Sequence, residues 1–186
     1  MHWHSLIYLV VLLCLNQHYK PMKLIEKLLK EIEEEGQKTR KMLAIVPDEK
    51  YDWRPHPKSM SVKDLALHIA DLSTWVTLAV TTDELDFAAN PYNPGNVNNT
   101  EELLTLFEKN LAKAKADMAQ ATEEQLEEPW SLRNGAVVYM TLSKYETIRH
   151  ALAQTIHHRA QLGVYLRLLN IPIPGSYGPS ADEQGL

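Results

Sequence analysis

The chain has 186 residues, 45% of them apolar or aromatic, which is enough for one hydrophobic core and too few for two. Its 19 basic and 24 acidic residues give a formal charge of −5, so it lacks the basic surface that a nucleic-acid backbone requires. The single cysteine, Cys14, excludes an intrachain disulfide framework and a thiolate metal cluster, and it favours a reducing compartment. Composition therefore predicts one cytoplasmic domain without a nucleic-acid partner.

Residues 1–21 form an apolar N-terminal extension. The run from Ser5 to Leu15 is similar to the hydrophobic part of a signal peptide but is too short to span a bilayer. No Lys or Arg precedes it, and two leucines stand before the cysteine where a cleavage site needs small side chains. The extension is either a weak signal or anchor, or a spurious stretch before a true start at Met22. We favour the second interpretation, so we expect no membrane association and assign the domain to residues 22–186.

Helical periodicity starts directly after this extension. Apolar residues recur at three- and four-residue spacing from Leu24, which predicts a first amphipathic helix to about Val46, ended by Pro47. A proline-containing loop follows. A Ser with an Asp three residues later predicts that a second helix begins at Ser61, and its apolar stripe continues to about Thr81.

The second half of the chain repeats this alternation of loop and helix. Residues 90–99 are rich in turn formers, and Thr100 followed by two glutamates predicts the start of a third helix. Residues 127–138 are irregular, with a turn at an Asn-Gly pair, and the longest helix is predicted from Ser143 to Leu169. No segment shows convincing strand alternation. The sequence therefore predicts an all-α, antiparallel four-helix bundle.

Four of the eight histidines lie inside the second and fourth predicted helices. His150, Gln154 and His158 follow each other at four-residue steps on one flank of the last helix, and His68 interrupts the buried stripe of the second. Imidazole is a common ligand of zinc and nickel, and bundles build metal sites from facing helices. Three protein ligands would leave a position at which a metal activates water or a thiol. The alternative is that these histidines are packed or hydrogen-bonded without a ligand role.

Other side chains near these histidines have two interpretations each. Trp75, seven residues after His68, either forms a wall of the pocket or is part of the core. Asp71 either orients an imidazole or faces solvent. For Arg159 we favour a surface or interhelix salt bridge over a contact with a substrate anion. The acidic run 31–35 is predicted to be a solvated helix face.

Two segments carry a family resemblance, LALHIADLSTW in the second helix and QTIHHRAQLGVYLRLLNIPIPGSYGPSADE at the end. They resemble the DinB-like family, and this implies a four-helix bundle of the DinB/YfiT-like type, often a homodimer, with a divalent metal such as zinc, nickel or manganese held by three histidines. These ligands map to His68, position 154 and His158. Gln154 departs from the pattern, and its amide oxygen completes a weaker site. His150 cannot take the place of this middle ligand, because it lies about 12 Å along the helix axis from His158, too far for both to bind one ion.

The resemblance also implies a type of function. It implies a metal-dependent transferase or hydrolase that acts on a small-molecule substrate, in several relatives with a low-molecular-weight thiol. The alternative from a different class is a catalytically silent dimeric bundle or ligand-binding module that has lost its metal through Gln154. The resemblance does not identify the substrate.

Overall fold

The computed structural model describes residues 22–185 of the chain, so the interpretation of residues 1–21 lies outside the described residues. The described part contains a one-turn 3-10 helix at Asp48–Lys50 in addition to the main helices and strands. These main elements are α1 Leu24–Leu43, α2 Val62–Asp71, α3 Thr74–Thr81, β1 Glu84–Asp86, α4 Thr100–Met118, α5 Glu123–Leu126, β2 Pro129–Asn134, β3 Val137–Ser143 and α6 Lys144–Leu168.

The long helices pack as a bundle around one apolar core. Helix α1 packs against α4 and α6, and the α2–α3 segment packs against the same two helices, so α1 lies diagonally opposite α2 and α3. Gly36 permits a close approach of α1 to α4, because a Cβ at this position would lie 2.7 Å from Cδ2 of Leu111. None of the helices in residues 22–185 has a stretch that is long and apolar enough to cross a membrane.

Reciprocal caps define where two of the helices begin. At the start of α2, Ser61 Oγ accepts a hydrogen bond from the Asp64 amide (3.1 Å), and the Asp64 carboxylate accepts one from the Ser61 amide (3.4 Å). Ser143 and Glu146 form the same arrangement before α6, at 3.2 and 2.8 Å. Each pair satisfies amide donors that the first turn leaves free, so the predicted starts of both helices are confirmed.

The prediction of one continuous second helix is wrong, because the helix breaks between α2 and α3. The turn there tightens, with the amide of Trp75 donating to the carbonyl of Leu72 at 3.2 Å. The carbonyl of Ala70 instead accepts a hydrogen bond from the side-chain amide of Asn110 on α4, at 3.1 Å. A polar side chain of a neighbouring helix thus stabilises the break, which places Trp75 on a separate helix from the histidine of α2.

The predicted helical bundle is confirmed, but the fold is not entirely α-helical, because the described residues also form a three-stranded sheet with the order β1-β2-β3. Strands β1 and β2 are parallel, with Leu85 opposite Leu132, and β2 and β3 form an antiparallel hairpin. The Asp86 carboxylate ties this sheet together by accepting hydrogen bonds from the amides of Gly135 (2.8 Å) and Ala88 (2.9 Å). Gly135 has a φ of +57°, as the predicted Asn-Gly turn requires.

A buried ion pair joins α1 to α6, and it corrects the prediction that residues 31–35 are solvated. Glu35 is 5% exposed and Arg159 is 2% exposed. The Arg159 guanidinium donates to the Glu35 carboxylate (2.7 Å) and to the hydroxyl of Thr39 (3.1 Å). Lys38 donates to the other carboxylate oxygen at 2.8 Å, and Tyr177 in the C-terminal tail donates to Glu35 at 2.8 Å. Arg159 therefore forms the interhelix salt bridge that we favoured.

The tail after α6 folds back along the helix and contributes to this cluster. Asp182 forms a two-point ion pair with Arg167 (2.6 and 2.9 Å) and accepts a hydrogen bond from the amide of Ile173 (2.9 Å). These contacts bring Tyr177 over α1, where its hydroxyl also accepts from Arg159 at 3.0 Å. The rotation of α6 about its axis is thus set by a charged pair inside the bundle and by a tail that covers it.

Candidate functional site

Two of the predicted metal ligands meet between α2 and α6. The imidazole rings of His68 and His158 have centroids 4.7 Å apart, and their planes are inclined by 77°. Both residues are partly buried. Helical spacing explains their placement: His68 belongs to the inward face of α2, and His158 precedes Arg159, whose buried ion pair determines which side of α6 faces the bundle.

Each ring of this pair has a hydrogen-bond partner on its Nδ1 atom. Nδ1 of His68 lies 3.1 Å from the hydroxyl of Tyr92, and Nδ1 of His158 lies 2.8 Å from the side-chain oxygen of Gln161. An amide oxygen only accepts, so Nδ1 of His158 is the donor in its bond to Gln161. Partners of this kind fix the tautomer and the ring orientation of histidines that act through Nε2.

The surroundings of His68 disfavour the charged form of its imidazole. Burial, reinforced by the neighbouring His158, lowers the pKa of His68. Burial also raises the pKa of Asp71, one turn further along α2. The pKa of Tyr92 is raised as well, first by burial and then by the Asp71 carboxylate, so its hydroxyl stays protonated. His68 therefore offers an unprotonated imidazole nitrogen, which can bind a metal or accept a proton.

The third predicted ligand, Gln154, lies one turn before His158 and lines a cavity of about 180 Å³ beside the pair. The ring of Trp75 lies 6.3 Å from the ring of His150, inclined by 40°, and both rings line the cavity. The full lining consists of His68, Leu72, Trp75, His150, Ala151 and Gln154. Trp75 packs against the hydrophobic core and also lines the cavity, so both interpretations of this residue hold.

The donor set determines which metal this site fits. Within residues 22–185, no group of three or more His, Cys, Asp or Glu side chains is placed to hold a metal ion. The available donors are thus the imidazoles of His68 and His158 and the amide oxygen of Gln154. Imidazoles suit zinc, nickel and copper, whereas a neutral amide oxygen binds these ions weakly. Two imidazoles and an amide oxygen are therefore a weaker donor set than the three imidazoles that the family resemblance implies.

Sequence reasoning missed Tyr92 and Gln161, the two residues that hydrogen-bond the histidine pair. Tyr92 stands in the stretch 90–99, which was interpreted only as a connection, and a loop has no periodicity that shows where a side chain lies. Its one signal is that it is an aromatic residue among turn formers. Asp71 is partly buried and raises the pKa of Tyr92, the hydrogen-bond partner of His68. His157 is exposed although its ring lies 4.9 Å from that of His158.

Comparison with known families gives a match over most of the chain. The sequence model of the DinB family matches residues 16–184. No curated protein sequence matches the chain.

Several solved structures share the fold. A DinB-like protein from Bacillus subtilis is 19% identical with a TM-score of 0.64, over 81% of this chain and 97% of that one. YfiT from Bacillus subtilis, described as a probable metal-dependent hydrolase with an unusual four-helix bundle topology, is 15% identical with a TM-score of 0.61, over 83% and 95%. A mycothiol-dependent maleylpyruvate isomerase is 16% identical with a TM-score of 0.57, over 78% of this chain and 62% of that protein. At these identities the likeness shows a common fold.

Proposed function

Because this chain belongs to the DinB family, we propose that it is a metal-dependent enzyme acting on a small molecule, with His68, Gln154 and His158 as the ligands of a divalent ion. The observation that carries the proposal is the convergence of His68 and His158 from two helices, each with its Nδ1 hydrogen-bonded, beside a cavity. Histidines that are merely packed do not need this combination of paired rings, fixed orientation and adjacent space.

The side chains around the proposed ligands have separate roles at this site. A bound divalent ion supplies Lewis acidity and lowers the pKa of water or of a thiol. Tyr92 and Gln161 hold the two rings so that Nε2 is the available atom, and Leu72 and Trp75 give the cavity an apolar wall. An apolar wall strengthens charge interactions at the site, because it removes competing water.

The relatives support the reaction class. YfiT is described as a probable metal-dependent hydrolase, and a further structural neighbour is a mycothiol-dependent isomerase. We therefore propose a hydrolase or a thiol-dependent transferase, with zinc, nickel or manganese as the ion and a low-molecular-weight thiol as a cosubstrate. The homodimer and the cytoplasmic location implied by the family resemblance are also proposals, for which sedimentation and cell fractionation are the tests.

Metal titration by calorimetry on the chelator-treated protein tests the metal site. We expect the natural protein to bind one ion per chain, His68→Ala to lose this binding, and Gln154→His to bind roughly tenfold or more tightly because imidazole replaces an amide oxygen. His157→Ala is the matched control, since His157 is exposed and adjoins His158 on the same helix. If the natural protein and the control bind no ion under any supply of zinc, nickel or manganese, the proposal is wrong.

A specific observation favours a second function, a ligand-binding module without catalysis. The third ligand position holds Gln154, and the described residues contain no group of three His, Cys, Asp or Glu side chains at the site. Metal binding by Gln154→His alone, with an unchanged fold, would identify this second function as the correct one.

A further inference from the structure

A second cavity, the tail groove, lies between α6 and the C-terminal tail. It measures about 410 Å³, and none of the three proposed metal ligands lines it. Arg159, Gly163 and Arg167 follow one another at four-residue steps along its wall, so two arginines stand on one flank of α6 with a gap between them. The gap has an apolar floor, because a Cβ at Gly163 would lie 3.5 Å from Cε of Met42 and 3.8 Å from Cδ1 of Ile173. The groove therefore combines a hydrocarbon surface with two cationic side chains.

The rim of the groove exposes further apolar surface to water. Val164 is 59% exposed and Leu168 is 58% exposed, and both line the groove. Exposed apolar side chains beside a concave surface commonly mark a binding site. An aliphatic chain that covers them would be removed from water together with them, which is favourable. The rim therefore favours a ligand with an aliphatic body.

The charges at the groove favour an anion. Within residues 22–185, no Asp or Glu lines it. Arg159 and Lys38 both contact the carboxylate of Glu35, at 2.7 and 2.8 Å, so this cluster carries one positive charge more than it carries negative charges. Arg167 is balanced by Asp182 at 2.6 Å. An anionic group that enters the groove is therefore attracted, and a cationic group is repelled.

Arg159 also keeps one hydrogen-bond donor for such an anion. Its two Nη atoms form four bonds between 2.7 and 3.3 Å long, to Glu35, Thr39 and Tyr177. A guanidinium has five N–H groups, so the N–H of Nε is left without an acceptor among the described residues. Arg159 is 2% exposed and lines the groove. An unpaired buried donor is costly, and a ligand carboxylate would satisfy it with a charge-assisted hydrogen bond.

We propose that the tail groove binds a monoanionic amphiphile, an aliphatic chain with one terminal carboxylate. The chain lies over Gly163 between the two arginines, and the carboxylate meets Arg159. An apolar cavity of about 150 Å³ in another protein holds one benzene molecule, so a groove of about 410 Å³ accommodates a chain of roughly ten carbon atoms. This inference goes beyond the proposed function, because the groove and the metal site have no ligand-binding residue in common.

Decanoate and decylammonium are the probes, because they have chains of the same length and opposite charges. Binding to the metal-free protein at pH 7.5, below the concentration at which the probes form micelles, is followed by NMR through the methyl signal of Met42, which a Met42→Leu variant assigns. We expect decanoate to shift this signal and to bind at least about tenfold more tightly than decylammonium. Hexanoate, four methylenes shorter, should bind at least about tenfold more weakly than decanoate. Equal or tighter binding of decylammonium would overturn the charge preference, and no shift with decanoate would overturn the site.

Two variants test the position of the ligand. Gly163→Leu fills the gap between the arginines and should lower decanoate affinity at least about tenfold. Leu168→Glu changes only an exposed side chain at the rim, so the fold is kept, and it should reverse the preference in favour of decylammonium. Ala153→Leu and Ala153→Glu make the same changes at an exposed position of α6 outside the groove and should leave both affinities unchanged. Equal effects at the two places would show that the probes bind elsewhere and would overturn the proposal.

Sedimentation distinguishes a small amphiphile from a second copy of the chain. A dimer that Leu168→Glu dissociates, together with no decanoate binding by the natural protein, would assign the groove to a second copy and overturn the proposal. His68→Ala, which removes a proposed metal ligand, should bind decanoate as the natural protein does. Failure of metal uptake would leave the decanoate results intact, so the two proposals fail independently.

Discussion

Removal of the Glu35 carboxylate is the most informative perturbation of the fold. In Glu35→Ala the guanidinium of Arg159, which is 2% exposed, keeps its charge but loses its anionic partner. A buried charge without a partner is far more costly than the absence of the whole pair. Arg159 directly follows His158 in α6, so the substitution tests both the stability of the bundle and the position of the histidine pair.

The size of the effect follows from the three donors that Glu35 serves. Its carboxylate accepts from Arg159 at 2.7 Å, from Tyr177 at 2.8 Å and from Lys38 at 2.8 Å. The Lys38 contact is discounted, because the Lys38 side chain is 24% exposed and water can replace its partner. The loss is then dominated by the stranded Arg159, and we expect about 3–5 kcal/mol in the free energy of unfolding.

Urea unfolding followed by circular dichroism at pH 7.5 measures this loss. Glu34→Ala is the control on the same helix: Glu34 lies 3.7 Å from Lys30, and both side chains are more than half exposed, at 54% and 64%. We expect the control to change stability by less than about 0.5 kcal/mol. A loss below about 1 kcal/mol in Glu35→Ala would refute the reasoning, because Arg159 would then have another partner or access to water.

A double variant separates the stranded charge from lost packing. In Glu35→Ala with Arg159→Met both charges are absent, and an apolar chain replaces the guanidinium. We expect this protein to be more stable than Glu35→Ala by about 2 kcal/mol, since an apolar replacement of a buried ion pair is often close to neutral. If the double variant is less stable than Glu35→Ala, the cluster contributes through packing and not through charge.

Three further predictions concern pH, the site and the helix break. Burial raises the pKa of Glu35, but hydrogen bonds from Lys38, Arg159 and Tyr177 hold this pKa below its ordinary value of 4.5. The stabilisation that Glu35 provides is therefore complete above pH 4.5 and is lost as the pH falls through the lower folded pKa. Glu35→Gln should lose less stability in acid than the natural protein, measured as the urea midpoint at each pH. Tyr92→Phe should weaken metal binding by calorimetry about 10- to 100-fold with an unchanged melting temperature, because Nδ1 of His68 loses its partner. Asn110→Ala should cost about 1 kcal/mol in urea unfolding, since the carbonyl of Ala70 loses its donor, and an unchanged midpoint would show that water replaces this bond.

The helices were predictable because their signals are local. A cap, a three- and four-residue apolar repeat and a terminating proline all lie within the segment that they describe. Accordingly α6 runs from Lys144 to Leu168, within one residue of the prediction at each end. The break after α2 was missed because Asn110, which stabilises it, lies on another helix and has no local signature.

The sheet was not predicted, because its strands also lack a local sequence signal. In β3 three successive apolar residues, Val137, Val138 and Tyr139, are all more than half exposed, so the strand has no alternation of apolar and polar positions. Strand β1 is only three residues long and is defined by its pairing with distant residues. A strand with these properties is visible only when its partner is known.

The residues of the candidate site and the buried ion pair differ in the same way: some have a local sequence signal and others do not. His68 and His158 could be predicted because helical periodicity shows which face of a helix turns inward. Glu35 could not, because an acidic run has the composition of a solvated face and its partner, Arg159, is 124 residues away. Tyr92 could not, because its position depends on the path of a loop.

The parallel pairing of β1 with β2 has a consequence for the order in which the chain folds. The hairpin of β2 and β3 is local, since Trp130 pairs with Leu142, and it can close early. Leu85 meets Leu132 only after the whole of α4 and α5 has been placed between them, so this contact carries a large loop-closure cost. We therefore expect β1 to join the sheet last, once the helices of the bundle have brought β1 close to β2. The amide protons of β1 should then be the last in the sheet to become protected from hydrogen exchange during refolding.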